Sequence, residues 1–334
     1  VDSKIERAGF ATLIPGEGFG WAYLIAFAVW LVLRIFWFDA HWLLALLNDS
    51  TLYWFAPLLV FLPYAALQQN YALLLALLVP CVVFLSFYGA RFLPRAPTNK
   101  SAALNGFRAM SFNMHYGNWN HDAFAQTILN AQPEIVGLQE VSAENRKVIE
   151  ARLARQYPYR VYQPVAETHA VALLSRYPIS NVEYLPAIER ALCATIHLPS
   201  NNVRVIVAHL APPNMLTYPL AQFVPLARNR FETRRAETEF LQRLGATATD
   251  PALLLCDCNM SDTSKSYQTL AASWRDSFRE RGWGLGHTLK FFLPVPLQRY
   301  DYVWHNDALR VSHFQIGPDG GSDHLPVIAL LHLS

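Results

Sequence analysis

Leu253–Asn259 reads LLLCDCN. Three leucines and a cysteine make a short apolar run of the kind that forms a buried strand. Side chains alternate faces along a strand, so Cys256 and Cys258 share one face while Asp257 and Asn259 share the other. An acid and an amide therefore leave an apolar strand side by side. The same event recurs along the chain. His209 closes the apolar run in VIVAHLAPP, Gln139 and Glu140 interrupt GLQEV, and Asn113 closes the run in MSFNMHYGN. Asp301 sits in RYDYVW, and GGSDHLP sets Asp323 and His324 just before the last apolar run. One strand-end Asp, Asn or His is usually a turn former or a structural residue. Six apolar strands that all end in acids, amides and histidines are the usual construction of an active site.

The surrounding pattern predicts strands at 107–113, 134–141, 159–164, 169–176, 191–198, 202–210, 253–259, 300–305, 309–316 and 327–332. It predicts helices at 121–130, 143–156 and 231–244. Many short strands with few helices argue for two packed sheets with helices outside.

The first third of the chain is different. Of 334 residues, 53% are hydrophobic and only 16% charged. Residues 1–97 carry five basic and five acidic side chains, against 22 and 20 in the remainder. Crossing about 30 Å of hydrocarbon takes roughly 20 apolar residues per helix. Stretches 21–38, 51–67 and 71–93 qualify, with Trp and Tyr toward several ends. The reading is a three-helix membrane region over 1–97 and a catalytic domain over 98–334, joined by a polar linker at Pro94–Ala103. Arg34 is expected to snorkel from the first span. Lys4 and Arg7 on one side and Arg91, Arg95 and Lys100 on the other leave the orientation undecided by charge. The net charge of +2 lacks the basic excess of a strong nucleic-acid binder. Cys81, Cys193, Cys256 and Cys258 form no disulfide framework, and Cys256 and Cys258 stand too close for an easy bridge.

The residue types narrow the chemistry. Mg²⁺ takes oxygen ligands, often one or two carboxylates plus water and substrate phosphate, and Glu140, Asn113 and Asp323 suit it. Zinc-type clusters, Gly-rich phosphate loops and serine elbows are missing from the sequence. Histidines beside carboxylates suit proton transfer and charge stabilisation.

SFNMHYGN, GLQEV, LLSRYPI, VAHL, CDCN, RYDYV and SDHLP occur in the order found in the endonuclease/exonuclease/phosphatase superfamily, which the chain resembles over about 105–334. The resemblance implies a four-layer α/β sandwich, two mainly antiparallel sheets flanked by helices. It implies a phosphoester hydrolase using Mg²⁺, with Mn²⁺ as a substitute. Glu140 resembles the principal metal ligand, with Asn113 and Asp323 in the same metal and phosphate site. Asp257 resembles the group that orients or deprotonates the attacking water, and Asn259 one that holds that water or a phosphate oxygen. His209 and His324 resemble hydrogen-bond donors to phosphate oxygens, and Asp301 the carboxylate that orients His324. His169 stands at a substrate-dependent position. The family usually has Gly where this chain has Cys256, which implies a bulkier turn.

Three spans before such a domain resemble a bacterial membrane subgroup that includes glycopeptide-resistance proteins of the VanJ type. That implies an integral protein of the bacterial cell (inner) membrane, an extracytoplasmic catalytic domain and a lipid-linked pyrophosphate substrate. The tract 211–227 (APPNMLTYPLAQFVPLA), apolar and with four prolines, does not fit a long helix. Two readings stay open. In one it dips into the membrane interface while Arg234 and Arg235 meet phosphate head groups. In the other it packs on the protein and the arginines are a solvated helix face. Two further function classes are a membrane-tethered endonuclease or exonuclease on DNA or RNA, and a non-catalytic membrane scaffold.

Overall fold

The computed structural model describes residues 15–95, 106–118, 120–163, 169–213, 219–291 and 293–334. Most of the expected linker and residues 214–218 of the apolar tract lie outside the described residues. The chain divides into two compact units, Val1–Ala90 and Arg91–Ser334.

The first unit is helical: α1 Pro15–Phe36, α2 Trp42–Asp49, a 3-10 turn Thr51–Phe55, α3 Leu58–Leu67 and α4 Tyr71–Tyr88. Gly16–Phe36 and Tyr71–Phe92 are long and apolar enough to cross a membrane, with hydropathies of 1.9 and 2.4. The span expected at 51–67 is not a straight helix. Trp42–Asp49 and Thr51–Leu67 meet at 63°, so three spans result only if this bent pair counts as one. The break falls at a polar step where Asn48 binds Trp30 and Asp39 and the Thr51 hydroxyl donates to the Asn48 carbonyl, ahead of the helix-unfriendly Pro57. Arg34 does not snorkel. It is buried, with its guanidinium 4.6 Å from the Phe38 ring centroid and 5.0 Å from that of Phe87.

The second unit holds two six-stranded sheets. The first contains β1 Phe107–Asn113, β2 Ile135–Val141, β3 Tyr159–Tyr162, β4 Ala170–Ser175, β11 Leu309–Ile316 and β12 Val327–Leu333, in the order β11-β12-β1-β2-β4-β3. The second contains β5 Ile179–Tyr184, β6 Ala191–His197, β7 Asn202–His209, β8 Ala252–Asp257, β9 Arg275–Asp276 and β10 Asp301–His305, in the order β5-β6-β7-β8-β10-β9. Each sheet has one parallel pair at its centre, β1–β2 and β7–β8, and antiparallel pairs on both sides. A parallel pair needs a crossover. Helix α5 His121–Ala131 supplies it in one sheet and α7 Leu220–Thr247 in the other. Helices α6 Ala143–Arg152, α8 Lys265–Ala271 and α9 Ser277–Arg281 complete the unit.

Three apolar clusters define the layers. Val171, Leu173, Val205, Val207, Leu255, Val303 and Val327 pack between the sheets. Phe124, Ile128 and Ile149 of α5 and α6 cover one outer face, and Leu241, Tyr267 and Leu270 of α7 and α8 the other. Gly137 stands where the two sheets approach closely. A Cβ there would lie 2.7 Å from Leu255 Cβ and 3.1 Å from Val207 Cγ2, both on the opposite sheet. Gly137→Ala is therefore expected to destabilise by about 1–3 kcal/mol through overpacking. A thermal melt checks this, and an unchanged midpoint would show that the sheets part there at no cost.

Two local expectations are corrected. The tract 211–227 is in part helical. Leu220–Ala227 forms the first turns of α7, preceded by Pro219, and Pro225 costs the helix one backbone hydrogen bond close to its start. Cys256 and Cys258 are disulfide-bonded. Their Cα atoms lie 5.2 Å apart on either side of Asp257, where β8 ends, within the range a disulfide spans.

Candidate active site

The two parallel pairs both end at the same rim. Asn113 pairs in register with Gln139, His209 with Asp257, and Asp257 with Asp301 on the other side. Adjacent carboxyl ends of parallel strands from two sheets thus supply one cluster.

Glu140 reaches that cluster through a local irregularity. The β2–β4 register slips between Leu138 and Val141, and Glu140 adopts φ +54°. Such a bulge re-aims a side chain. Gln139 stays in the sandwich, where its amide donates to Ser111 Oγ at 3.1 Å and, across the sheets, to the Leu255 carbonyl at 3.3 Å. The freed Glu140 carboxylate accepts from Asn113 Nδ2 (3.1 Å) and from the Tyr116 backbone N–H (3.2 Å). Asn113 Nδ2 also donates to Asp257 Oδ2 at 2.8 Å, so one amide bridges the two carboxylates. Its Oδ1 accepts from the His115 backbone N–H.

His209 Nε2 faces the same oxygens, 3.5 Å from Asp257 Oδ2 and 3.8 Å from Glu140 Oε1. Its Nδ1 lies 3.4 Å from Arg190 Nη1. A guanidinium only donates, so Nδ1 accepts and Nε2 carries the proton. Burial, with the positive charge of Arg190, holds the His209 imidazole well below its ordinary value. It is a neutral donor aimed into the cluster.

His324 is the opposite case. Its Nδ1–H donates to Asp301 Oδ2 at 2.8 Å and its Nε2 lies 3.8 Å from Asp257 Oδ2. Burial works against the charged ring, but the Asp301 and Asp257 carboxylates outweigh it and raise its pKa to about 10. Burial pushes Asp257 up to about 7, against the pull of His324. Asn259 donates from its backbone N–H to Asp257 Oδ1 and from its side chain to the Leu210 carbonyl, which holds the ends of β7 and β8 together.

Glu140, His209 and Asp257 each present a ligand atom within 4.8 Å of the others, as do Asp257, Asp301 and His324. The first group fits a hard divalent cation better. Both groups bring two carboxylates together, but in the second the Asp301 carboxylate is taken up by the proton on His324 Nδ1. Asp323 belongs to neither group. It is half-buried beside His324, and its charge helps raise that imidazole. His169 stands exposed at the rim, its ring 4.9 Å from that of Tyr116. Arg235 is not brought to the cluster. It pairs with Glu239 one turn along an exposed helix face, as Arg228 does with Glu232. Arg234 turns inward beside Glu237, whose carboxylate accepts from the Ala211 backbone N–H.

A family model described as the endonuclease/exonuclease/phosphatase family matches residues 110–324, a stretch that contains every residue of this cluster. The chain belongs to that family. Membership makes it a metal-dependent phosphoric ester hydrolase. Similar solved structures include an endonuclease/exonuclease/phosphatase from Beutenbergia cavernae, 20% identical over 69% of this chain and 72% of that one, with a TM-score of 0.54. The human Nocturnin catalytic domain with bound sulfate is 18% identical over 69% and 94%, with a TM-score of 0.53. An AP endonuclease from Archaeoglobus fulgidus is 18% identical over 67% and 98%, also at 0.53. At these identities the likeness is one of fold. No curated protein sequence matches the chain.

Two residues around this site escaped the sequence reading. Ser322 Oγ donates to the Asn113 carbonyl and accepts from the His324 backbone N–H, joining the end of β1 to the loop before β12 in the same sheet. Its place in the SDH motif was the available signal. Arg190 acts through a contact with a distant strand and carried no signal of its own.

Proposed function

We propose that this family member hydrolyses a phosphodiester or pyrophosphate of a lipid-linked substrate at a membrane, with Mg²⁺ as the natural cation. The observation that carries the hydrolytic reading is the convergence of Glu140, Asp257, His209 and the His324–Asp301 pair. Glu140 would hold the cation, which when bound would offset the charge of the substrate phosphate. Asp257 receives the proton of a water lined up for in-line attack, and Asn113 and Asn259 hold that carboxylate in place. His209 donates its Nε2 proton to a non-bridging oxygen as a neutral group, and His324 does so as an imidazolium. His324 can also pass its proton to the leaving oxygen, with Asp301 fixing its orientation.

The membrane part of the reading is supported by the two apolar helical stretches and by their many exposed large side chains, such as Ile25, Ile35, Leu75 and Leu85. The likeness to VanJ-type proteins in the order of the parts points the same way and favours a polyprenyl pyrophosphate outside the cytoplasm. The nuclease reading shares the chemistry and differs in substrate.

The test is phosphate release by the full chain in nanodiscs, offered polyprenyl pyrophosphate, phospholipid, and single- and double-stranded DNA. We expect turnover of the lipid-linked substrate that EDTA abolishes and Mg²⁺ restores. Turnover of DNA alone would replace the lipid reading by the nuclease one. Equal rates for the wild type and Glu140→Ala would remove both.

A further inference from the structure

Among the described residues of the second unit, most large apolar side chains are buried, and the exposed ones include a cluster close together in the chain and a lone tryptophan. Phe291, Leu293 and Val295 are 42, 55 and 52% exposed, and Trp283 is 68% exposed. The first three lie in a hairpin. Its neck closes where Leu289 pairs with Gln298, with the Leu297 N–H donating to the Leu289 carbonyl at 2.8 Å and the Thr288 N–H to that of Gln298 at 2.7 Å. The tip projects three exposed apolar side chains interspersed with prolines, a poor composition for a water-facing turn.

The neck is joined to the catalytic loop. Leu289 bridges to His324, the Lys290 N–H donates to the Asp323 carbonyl at 2.7 Å, and the Leu325 N–H donates to the Thr288 carbonyl at 2.8 Å. Thr288 Oγ1 also accepts from the backbone N–H groups of Tyr300 and Asp301. The hairpin base thus touches the backbone on both sides of the His324–Asp301 pair. His287 Nδ1 donates to the Pro296 carbonyl at 3.3 Å, which ties the hairpin to the segment carrying Trp283. The Gly284 N–H in that segment donates to the Arg91 carbonyl, and the Trp283 ring packs edge-on against Phe92 at 5.6 Å. Arg91 and Phe92 belong to this unit and also end the apolar stretch Tyr71–Phe92, where that stretch would leave hydrocarbon. Trp at such a boundary, with Arg95 bound to the Gly282 carbonyl nearby, is the composition of a membrane interface.

We infer that Phe291, Leu293 and Val295 of the hairpin lie in the lipid bilayer and hold the active-site rim against it, so that a phosphoester whose tail stays in the membrane reaches His324 from the lipid side. This rests on the reading of the chain as membrane-anchored and extends it to a specific surface. The surface differs from the tract 211–227, whose second half is helix.

The experiment uses the full chain in nanodiscs, in a Cys81→Ala background, with an environment-sensitive fluorophore on Leu293→Cys and a control on Lys147→Cys. We expect a blue-shifted emission at 293 that nitroxide-bearing lipids quench, and neither effect at 147. A water-like emission at 293 overturns the inference. So does a blue shift without lipid quenching, which would mean protein cover by a second copy or by another part of the chain. In parallel, the triple change Phe291→Ser, Leu293→Ser and Val295→Ser is expected to lower kcat/KM for a long-tailed phosphoester in bilayers at least about tenfold, with hydrolysis of a short soluble phosphodiester unchanged. Equal loss on both substrates also overturns it. If the probe is quenched by lipid while the wild type hydrolyses only soluble phosphodiesters or DNA, the lipid contact stands and the proposed substrate class falls.

Discussion

Asp257→Asn is expected to lower kcat by about 10³- to 10⁴-fold, with little change in folding. The substitution keeps the shape of the side chain and can preserve the hydrogen bond from the Asn259 backbone. It removes the one site in the cluster that takes a proton easily near neutrality. Burial has already pushed Asp257 up to about 7, so its carboxylate accepts a proton from water more readily than an exposed aspartate would. It also sets the new amide against Asn113 Nδ2, which now donates to Asp257 Oδ2 at 2.8 Å, so two amide groups compete at one point. Steady-state kinetics on any hydrolysed phosphoester, with circular dichroism as the folding control, decides the matter. A loss of less than about tenfold would assign the water to another residue.

His324→Ala should cost about 10²- to 10³-fold in kcat, since it deletes a preorganised charged donor. Asp301→Asn separates two roles of Asp301. An amide oxygen can still accept from His324 Nδ1, so orientation largely survives, while the negative charge that does most to raise the imidazole is gone. The sign follows from which form works. If His324 acts protonated, the wild type keeps the active form up to a pH of about 10, and lowering that pKa empties it from the alkaline side. The alkaline limb of kcat/KM should therefore move toward neutrality in Asp301→Asn, while the acid limb moves to lower pH, because the Asp301 charge also helps to raise Asp257. A profile that falls uniformly, with no shift of the alkaline limb, would show that His324 does not act as a charged donor.

Much of this construction was visible in the residues before any folding. The strands at Phe107–Asn113 and Leu309–Ile316 have the bounds that their apolar residues predict, because the first is buried on both faces and the second on one. The strand Ile179–Tyr184 did not declare itself. It is a sheet edge with mostly exposed side chains, so no buried face imposes a period on it. The helix starting at Leu220 was hidden by its prolines, which cost little when they fall at or near a helix start. The polar residues that gather at the rim were legible because each interrupts or ends an apolar run, a cost in burial that chemistry explains better than packing. Arg190 and the exposed hairpin at 289–298 were not legible, since their meaning depends on what stands opposite them.

The alternation of apolar and polar residues by itself determined that strands pack with helices outside, and the acids, amides and histidines at their ends marked an active site, to which the resemblance of their motifs to a known family gave a phosphoester chemistry. Local pattern suffices for both, because burial and residue chemistry act one side chain at a time. Only the tertiary structure decided that Asn113 bridges two carboxylates, that one imidazole is neutral while the other is charged, and that an apolar hairpin is joined to the catalytic loop. Those properties come from distances between residues far apart in the chain, and electrostatic coupling and hydrogen bonding depend on distance in space, which sequence spacing does not encode.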